Sequence, residues 1–310
     1  MNPLNTTEML QKQMDNIKKS NNVTLPADDG RAFMQDVVAS GSTLAKLNYY
    51  SAKSANGAID MLGVKKRRLK LHQGINTTPD GTDHAEERTV PFSLVPVYTD
   101  AWFENDNVYY TARSRGQNVE DIIASMIQQQ FGADLQDLAF NGDKSSADAF
   151  IKLDDGFLKL ARTNVDTIKH DVTGAIKIAD LQVVPIKVAP EQLRAGTFVW
   201  VMGRGTHTAL QAEVIARPTA LGDAVLVNGV LTRLHGYDIE VVDHIVEDTV
   251  LFTPLENLTV VTGFDVQYSR TGEGPEAMAK QATYHFVLSS VDFVIRTPKA
   301  LVYIDADVTP

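Results

Sequence analysis

The chain has no cysteine among its 310 residues. Disulfides, thiolate nucleophiles and sulfur-based zinc sites are therefore excluded, and the composition fits a reducing compartment. Positive charge is also scarce, with 29 Lys+Arg against 39 Asp+Glu and a net charge of −10. An acidic chain is a poor coat for nucleic acid, which is itself negative. Long apolar runs are missing. No stretch approaches the roughly 20 residues needed to span a bilayer. Met1 opens a polar amphipathic segment rather than the basic start and apolar block of a secretory signal, and no membrane partner is expected. There is no internal repeat and no low-complexity tract.

Catalytic and metal-binding patterns are equally thin. The seven histidines, at 72, 84, 170, 207, 235, 244 and 285, show no metal-ligand spacing. Asp243-His244 reads as neighbours on a strand, which point to opposite faces and cannot work as an acid–base pair. Met202-Gly203-Arg204-Gly205-Thr206 lies between a strand and a helix but lacks the Lys-Ser/Thr of a nucleotide-phosphate loop and the third glycine of a dinucleotide fold. It reads as a tight turn with Thr206 or Thr208 as helix cap. Asp143, Asp148, Asp154 and Asp155 are acidic neighbours without the alternating ladder that calcium requires. With no nucleophile, base or metal set in the second half, the chain is not expected to be an enzyme, and no cofactor is expected.

Apolar residues make up 44% of the chain, enough for one large or two modest cores. Their clearest pattern runs from Asn118 to Gly142. Val119, Ile122, Ile123, Met126, Ile127, Phe131, Leu135 and Leu138 recur at steps of three and four, one stripe of a helix. Asn118 is a candidate N-cap, Glu120 and Asp121 suit the positive end of the dipole, and Asn141-Gly142 offers a left-handed stop. Residues 1–20 place Met9, Leu10, Met14 and Ile17 on one side of a short helix that is marginal alone, so residues 1–30 read as an arm that orders against another surface. Phe33, Met34, Val37 and Val38 mark a second helix stopped by Gly41-Ser42.

Residues 57–112 predict a two-stranded ribbon. Lys65-Lys66-Arg67-Arg68-Leu69-Lys70-Leu71 enters an extended pattern, Asn76 to Thr82 is a turn signal, and Val90-Pro91-Phe92-Ser93-Leu94 alternates on the return. Pro91 cannot donate to a ladder and confines its strand to an edge, and a lone hairpin is barely stable in water. The ribbon therefore needs a surface, which we assign to another subunit. Charge is divided in keeping with this: residues 1–72 carry 11 Lys+Arg against 6 Asp+Glu, and residues 73–310 carry 18 against 33. The basic run at 65–70 alternates between strand faces and has no interleaved aromatics, so it suits subunit contact better than nucleic acid. Lys65, Lys66, Arg67, Arg68, Lys70, Pro91 and Phe92 are the candidate contact residues. Further on, a short helix is predicted near Phe150–Leu160. Pro185 and Pro190 interrupt a helical pattern in 165–196, a strand at Phe198–Met202 precedes a helix at Thr208–Arg217, and Asn228-Gly229 turns a hairpin. Strands are predicted near Asp238–Val242, Val250–Phe252, Leu258–Val261, Phe264–Ser269, Tyr284–Ile295 and Ala300–Ile304. The class is α+β.

This order of features resembles the major capsid protein of tailed bacteriophages, the Hong Kong 97-type capsid fold. The run Gly132-Ala133-Asp134-Leu135-Gln136-Asp137-Leu138-Ala139-Phe140-Asn141-Gly142-Asp143, followed by Leu153-Asp154-Asp155-Gly156-Phe157-Leu158-Lys159, is similar to the segment leaving the spine helix of such subunits. Trp200-Val201-Met202, Gly236-Tyr237-Asp238-Ile239 and Leu255-Glu256-Asn257-Leu258 resemble later landmarks. The resemblance implies an N-terminal arm (1–56), an extended E-loop hairpin (57–112), a peripheral domain with a long spine helix (113–174 and 286–310) and an axial domain (175–285). It implies hexamers and pentamers closing an icosahedral shell around packaged double-stranded DNA, without sequence-specific binding, as a virion capsid assembled in the bacterial host cytoplasm. Portal and decoration proteins are partners of such shells. Only residues 1–30 precede the first arm helix, so a separate scaffolding protein is expected. The family's type member joins subunits by an isopeptide bond from an E-loop lysine, whereas no lysine occurs here between Lys70 and Lys144, and a shell without covalent links is expected. An encapsulin-type bacterial compartment shell of the same fold is the alternative.

Overall fold

The computed structural model describes residues 22–24, 43–64, 85–104, 119–195, 197–216, 226–227, 230–263 and 266–307. Among these the strands, in chain order, are β1 (Asn22–Thr24), β2 (Asn48–Ala52), β3 (Asn56–Val64), β4 (Ala85–Ser93), β5 (Val95–Glu104), β6 (Ile168–Thr173), β7 (Phe198–Gly203), β8 (Leu226–Val227), β9 (Val230–Leu231), β10 (Arg233–Leu234), β11 (Tyr237–Val242), β12 (Thr249–Pro254), β13 (Leu258–Gly263), β14 (Gln267–Thr271), β15 (Ala282–Ile295) and β16 (Val302–Asp307). The helices are α1 (Val119–Asn141), α2 (Phe157–Thr163), α3 (Ile178–Gln182), α4 (Val184–Lys187), α5 (Pro190–Ala195), α6 (Arg204–Ile215) and α7 (Pro275–Lys280).

The first sheet is built around β15, whose residues alternate between core and surface through most of its length. β5 pairs antiparallel along one edge from Ala282↔Glu104 to Val291↔Val95, while β14 and then β13 occupy the other. β1 extends β14 and β2 extends β13. Under this sheet lies α1, 23 residues long and about 35 Å at the usual rise. Its Ile127, Phe131, Leu135 and Leu138 are buried as the periodicity predicts, whereas Met126 at the stripe's margin is 51% exposed. Phe140, Phe157 and Phe293 stack edge to face at 5.6 and 5.7 Å, joining α1, α2 and β15.

The second sheet runs β10-β11-β7-β12-β16-β6. It is covered on both faces. Phe198, Trp200 and Met202 of β7 point into one core with α3, α4 and α6, while Val201 and Leu251 join the core under α1. Trp200 is fully buried, and its indole N–H donates to the Leu234 carbonyl at 3.0 Å. Two short turns carry the chain directly from one sheet to the other, from β12 to β13 through Leu255–Asn257 and from β15 to β16 through Pro298–Ala300. Buried Asn257 joins the two crossings. Its amide donates to Thr253 Oγ1 and the Thr297 carbonyl, both at 3.0 Å, and its oxygen accepts the Thr297 N–H at 2.6 Å.

Several local expectations are corrected. α1 stops at Asn141 as expected, but neither Asn141 nor Gly142 adopts a left-handed conformation. Gly142 is needed because a Cβ there would lie 2.4 Å from the Asp154 carbonyl oxygen, and Gly156 interlocks with it, donating to the Gly142 carbonyl at 2.9 Å. That contact splits the predicted helix at Phe150–Leu160 into a short turn, Ile151–Leu153, and α2. Gly203 caps α6; Thr206 accepts the Asp248 N–H and Thr208 donates to the Arg204 carbonyl, so neither is the cap. β6 lies in the stretch read as interrupted helix, while Pro185 and Pro190 do sit in the first turns of short helices. The predicted strand Phe264–Ser269 is shifted to Gln267–Thr271. His244 has a φ of 74° in a turn after β11, not on a strand, and Asp243 binds Arg204 at 2.7 Å. Asn118, the helices expected within 1–42 and the ribbon's turn lie outside the described residues.

The pairing also runs across the expected domain limits. In residues 43–52, Leu44 is fully buried and β2 pairs with β13. β13 and β14 belong to the sheet over α1 although they precede residue 285, and β16 pairs with β12 and β6 rather than following β15.

Candidate assembly surface

β3 and β4 pair antiparallel from Asn56↔Ser93 to Val64↔Ala85 as a sheet of two strands, about 30 Å long. Pro91 lies opposite Ala58 and is exposed, as an edge position allows. The ribbon is fastened at its root. Ile59 and Phe92, each 7% exposed, pack with Ala52, Val261 and Val294 of the body, and the Phe92 ring lies 5.9 Å from that of Tyr50. Gly57 makes room for this, since a Cβ there would sit 2.7 Å from the Phe92 ring. Of the two described contact candidates, Pro91 therefore faces outward while Phe92 anchors the ribbon to its own subunit. Lys65, Lys66, Arg67, Arg68 and Lys70 lie outside the described residues. Leu62, 81% exposed farther along β3, was missed by the sequence reading. Its signal was faint, a single apolar residue at the alternate position from buried Ile59.

Beside the root is a cleft of about 490 Å³ lined by Pro91, Ser93, Lys144, Asp154, Asp155 and Asp292 among others. The Ser93 N–H donates to Asp292 Oδ2 at 2.6 Å, and the Leu94 N–H donates to the Ala55 carbonyl at 2.8 Å. Burial pushes the Asp292 carboxyl up to about 6, against the pull of the Ser93 N–H and with a further upward push from Asp154. Asp154 is 1% exposed; its Oδ1 meets Lys144 Nζ at 2.8 Å, while Oδ2 is buried without a hydrogen-bond partner among the described residues. Burial raises its pKa too.

The acidic neighbours do not converge on an ion. Asp148 accepts the Phe150 N–H, Asp155 accepts the Lys144 N–H, and Asp143 binds Ser145 and Lys159. Among the described residues no group of three or more His, Asp or Glu is placed to hold a metal, and no helix is long and apolar enough to cross a membrane. The surface can pair, pack and neutralise charge.

The phage capsid family model matches residues 113–306, from before α1 almost to the end of β16. A curated relative, the putative prophage capsid protein YqbE of Bacillus subtilis (strain 168), is 27% identical over 175 residues, covering 55% of this chain and 54% of its own. The chain thus matches about half the length of that relative. Among solved structures, the satellite phage P4 procapsid that includes the size determination protein aligns with a TM-score of 0.70 at 16% identity, over 96% of this chain and 97% of its own. Gordonia phage Cozz aligns at 0.57 with 11% identity over 86% of each chain. The capsid of the empty GTA particle aligns at 0.55 with 15% identity, over 86% of this chain and 90% of that one. At such identities the structural likeness shows the fold, and the family match, to structural proteins of virion capsids rather than enzymes, shows the kinship. With its spine helix, hairpin ribbon and paired sheets, the chain belongs to the phage capsid family and has the Hong Kong 97-type fold.

Proposed function

We propose that this chain is the major subunit of an icosahedral phage shell, forming hexamers and pentamers that enclose packaged double-stranded DNA. The observation that carries this reading is the ribbon. Nine residue pairs stand on a root held by Ile59, Phe92 and the Ser93–Asp292 bond, while the outer Leu62 is open to solvent. A two-stranded sheet gains stability when a third surface covers it, and the neighbouring subunit supplies that surface. Pro91, Leu62 and the basic residues Lys65, Lys66, Arg67, Arg68 and Lys70 form the contact, set against an acidic body. In domain terms, the arm and E-loop clasp neighbours, the sheet over α1 is peripheral, and the sheet of β7, β12 and β16 is axial. Assembly takes place in the host cytoplasm with a separate scaffolding protein, and portal and decoration proteins complete the particle.

Negative-stain microscopy of the overexpressed protein tests the reading. Closed shells, tubes or hexameric sheets are expected, and a monomer at high concentration with no assemblies overturns it. Nuclease-protected DNA in particles from infected or induced cells supports the phage shell, whereas a protein cargo in its place points to an encapsulin-type compartment.

A further inference from the structure

The cleft beside the ribbon root combines room with unmatched charge. Its volume of about 490 Å³ is in the range of small-molecule sites, and its described lining sets Asp154, Asp155 and Asp292 against one cation, Lys144. The hydrogen bond to Asp154 raises the Lys144 ammonium above its ordinary pKa, and Asp155 and Asp292 add to that pull, so all three carboxylates bear on the same spot. Two negative charges are left over.

The acids come from separate elements. Asp154 and Asp155 belong to the turn ahead of α2 and Asp292 to β15. Lys144 is spent on Asp154, whose Oδ1 it meets at 2.8 Å, yet the Asp154 Oδ2 has no hydrogen-bond partner among the described residues although the side chain is 1% exposed. Acceptor capacity is thus left unfilled inside the wall. Much of the remaining wall is apolar, with Val90, Phe92, Leu160 and Ile295 in it. A metal ion suits this arrangement poorly, because among the described residues no group of three or more His, Asp or Glu is placed to hold one. An ammonium at the end of an apolar chain needs only a carboxylate to pair with, and two surplus charges on two elements call for two ammonium groups.

We propose that the cleft binds an aliphatic diamine or polyamine, one ammonium paired with Asp292, another with Asp155 beside the Asp154 Oδ2, and the methylene chain laid along Val90, Leu160 and Ile295. Bound in this way, the ligand ties β15, and through the Ser93–Asp292 bond the root of the ribbon, to the turn ahead of α2. The site lies within one subunit and does not rest on the shell reading.

Calorimetric titration of the full-length protein with 1,4-diaminobutane at pH 7.5 tests this. One site per chain is expected, with affinity about tenfold above that for n-butylamine, which has the stem but one charge, or for magnesium ion, which has the charge but no stem, at matched ionic strength. Asp292→Asn and Asp155→Asn each keep an oxygen to accept the backbone N–H that the aspartate accepts, so they remove charge while sparing the fold, and each should weaken binding about tenfold. Lowering the pH through about 6, where Asp292 takes up a proton, should weaken binding in the parent, and Asp292→Asn should lose that step. No binding, equal affinity for butylamine or magnesium ion, or variants that bind as the parent does would each overturn the assignment.

Discussion

Asp292 and His285 lie on the same strand and prefer opposite protonation changes. The Asp292 carboxyl is raised from 3.8 to about 6 by burial, so the stability it contributes is full below 3.8 and lost as pH rises through about 6. The His285 imidazole, buried beneath Phe103 with Arg270 nearby, is lowered from 6.5 to about 4, so its contribution is full above 6.5 and lost as pH falls through about 4. Each amounts to about 3 kcal/mol at most. The two slopes oppose one another between pH 4 and 6, and Asp154 adds to the sign of Asp292. Asp292→Asn should therefore leave a subunit whose denaturation midpoint climbs more steeply with pH across that window than the parent's, and His285→Gln should do the reverse. Parallel profiles for parent and variants in urea titrations of unassembled subunit would contradict both assignments. None of this was legible in the sequence. Asp154 and Asp292 are remote along the chain, and only the packing of α2 and the ribbon root against β15 brings them to one cleft.

Among the elements, α1 was the most legible, because its buried side chains repeat with the helical period. The position of its end was readable, but the reason was not: Gly142 is required by the close passage of Asp154 and Gly156, a contact that periodicity cannot report. β6 was hidden because Ile168-Lys169-His170-Asp171-Val172-Thr173 holds only two apolar residues, and its strand character comes from pairing with β16. The ribbon was readable from its turn residues and Pro91, although the inward anchoring of Phe92 was not. Asn257 stood out in the sequence only as part of a landmark. In the fold its side chain makes three hydrogen bonds across the two sheet crossings. Asn257→Ala leaves the Thr297 N–H and carbonyl without these partners and should cost roughly 2–4 kcal/mol of unfolding free energy, measured by urea titration. Gly142→Ala should cost about 2 kcal/mol or more in the same assay, since the added carbon meets backbone rather than a side chain that can swing away.

At the scale of the whole molecule, the exposed outer half of the ribbon sets the test for assembly. Leu62→Glu leaves the subunit's own core untouched, so its unfolding midpoint should stay within about 0.5 kcal/mol of the parent. Particle yield in sedimentation should nevertheless fall sharply. No lysine lies between Lys70 and Lys144, so boiling particles in detergent should release 34.0 kDa monomers, and a ladder of larger bands would refute a non-covalent shell. The β15 strand carries a mechanical consequence. It is clamped by β5 along one flank and by β14 and β13 along the other, then passes through the Asn257 crossing into the second sheet. A tug between the two halves of the subunit runs along the strand axis and strains many ladder bonds at once instead of peeling them singly. A wall made of such units would resist outward stretching along that line far better than bending at the ribbon roots.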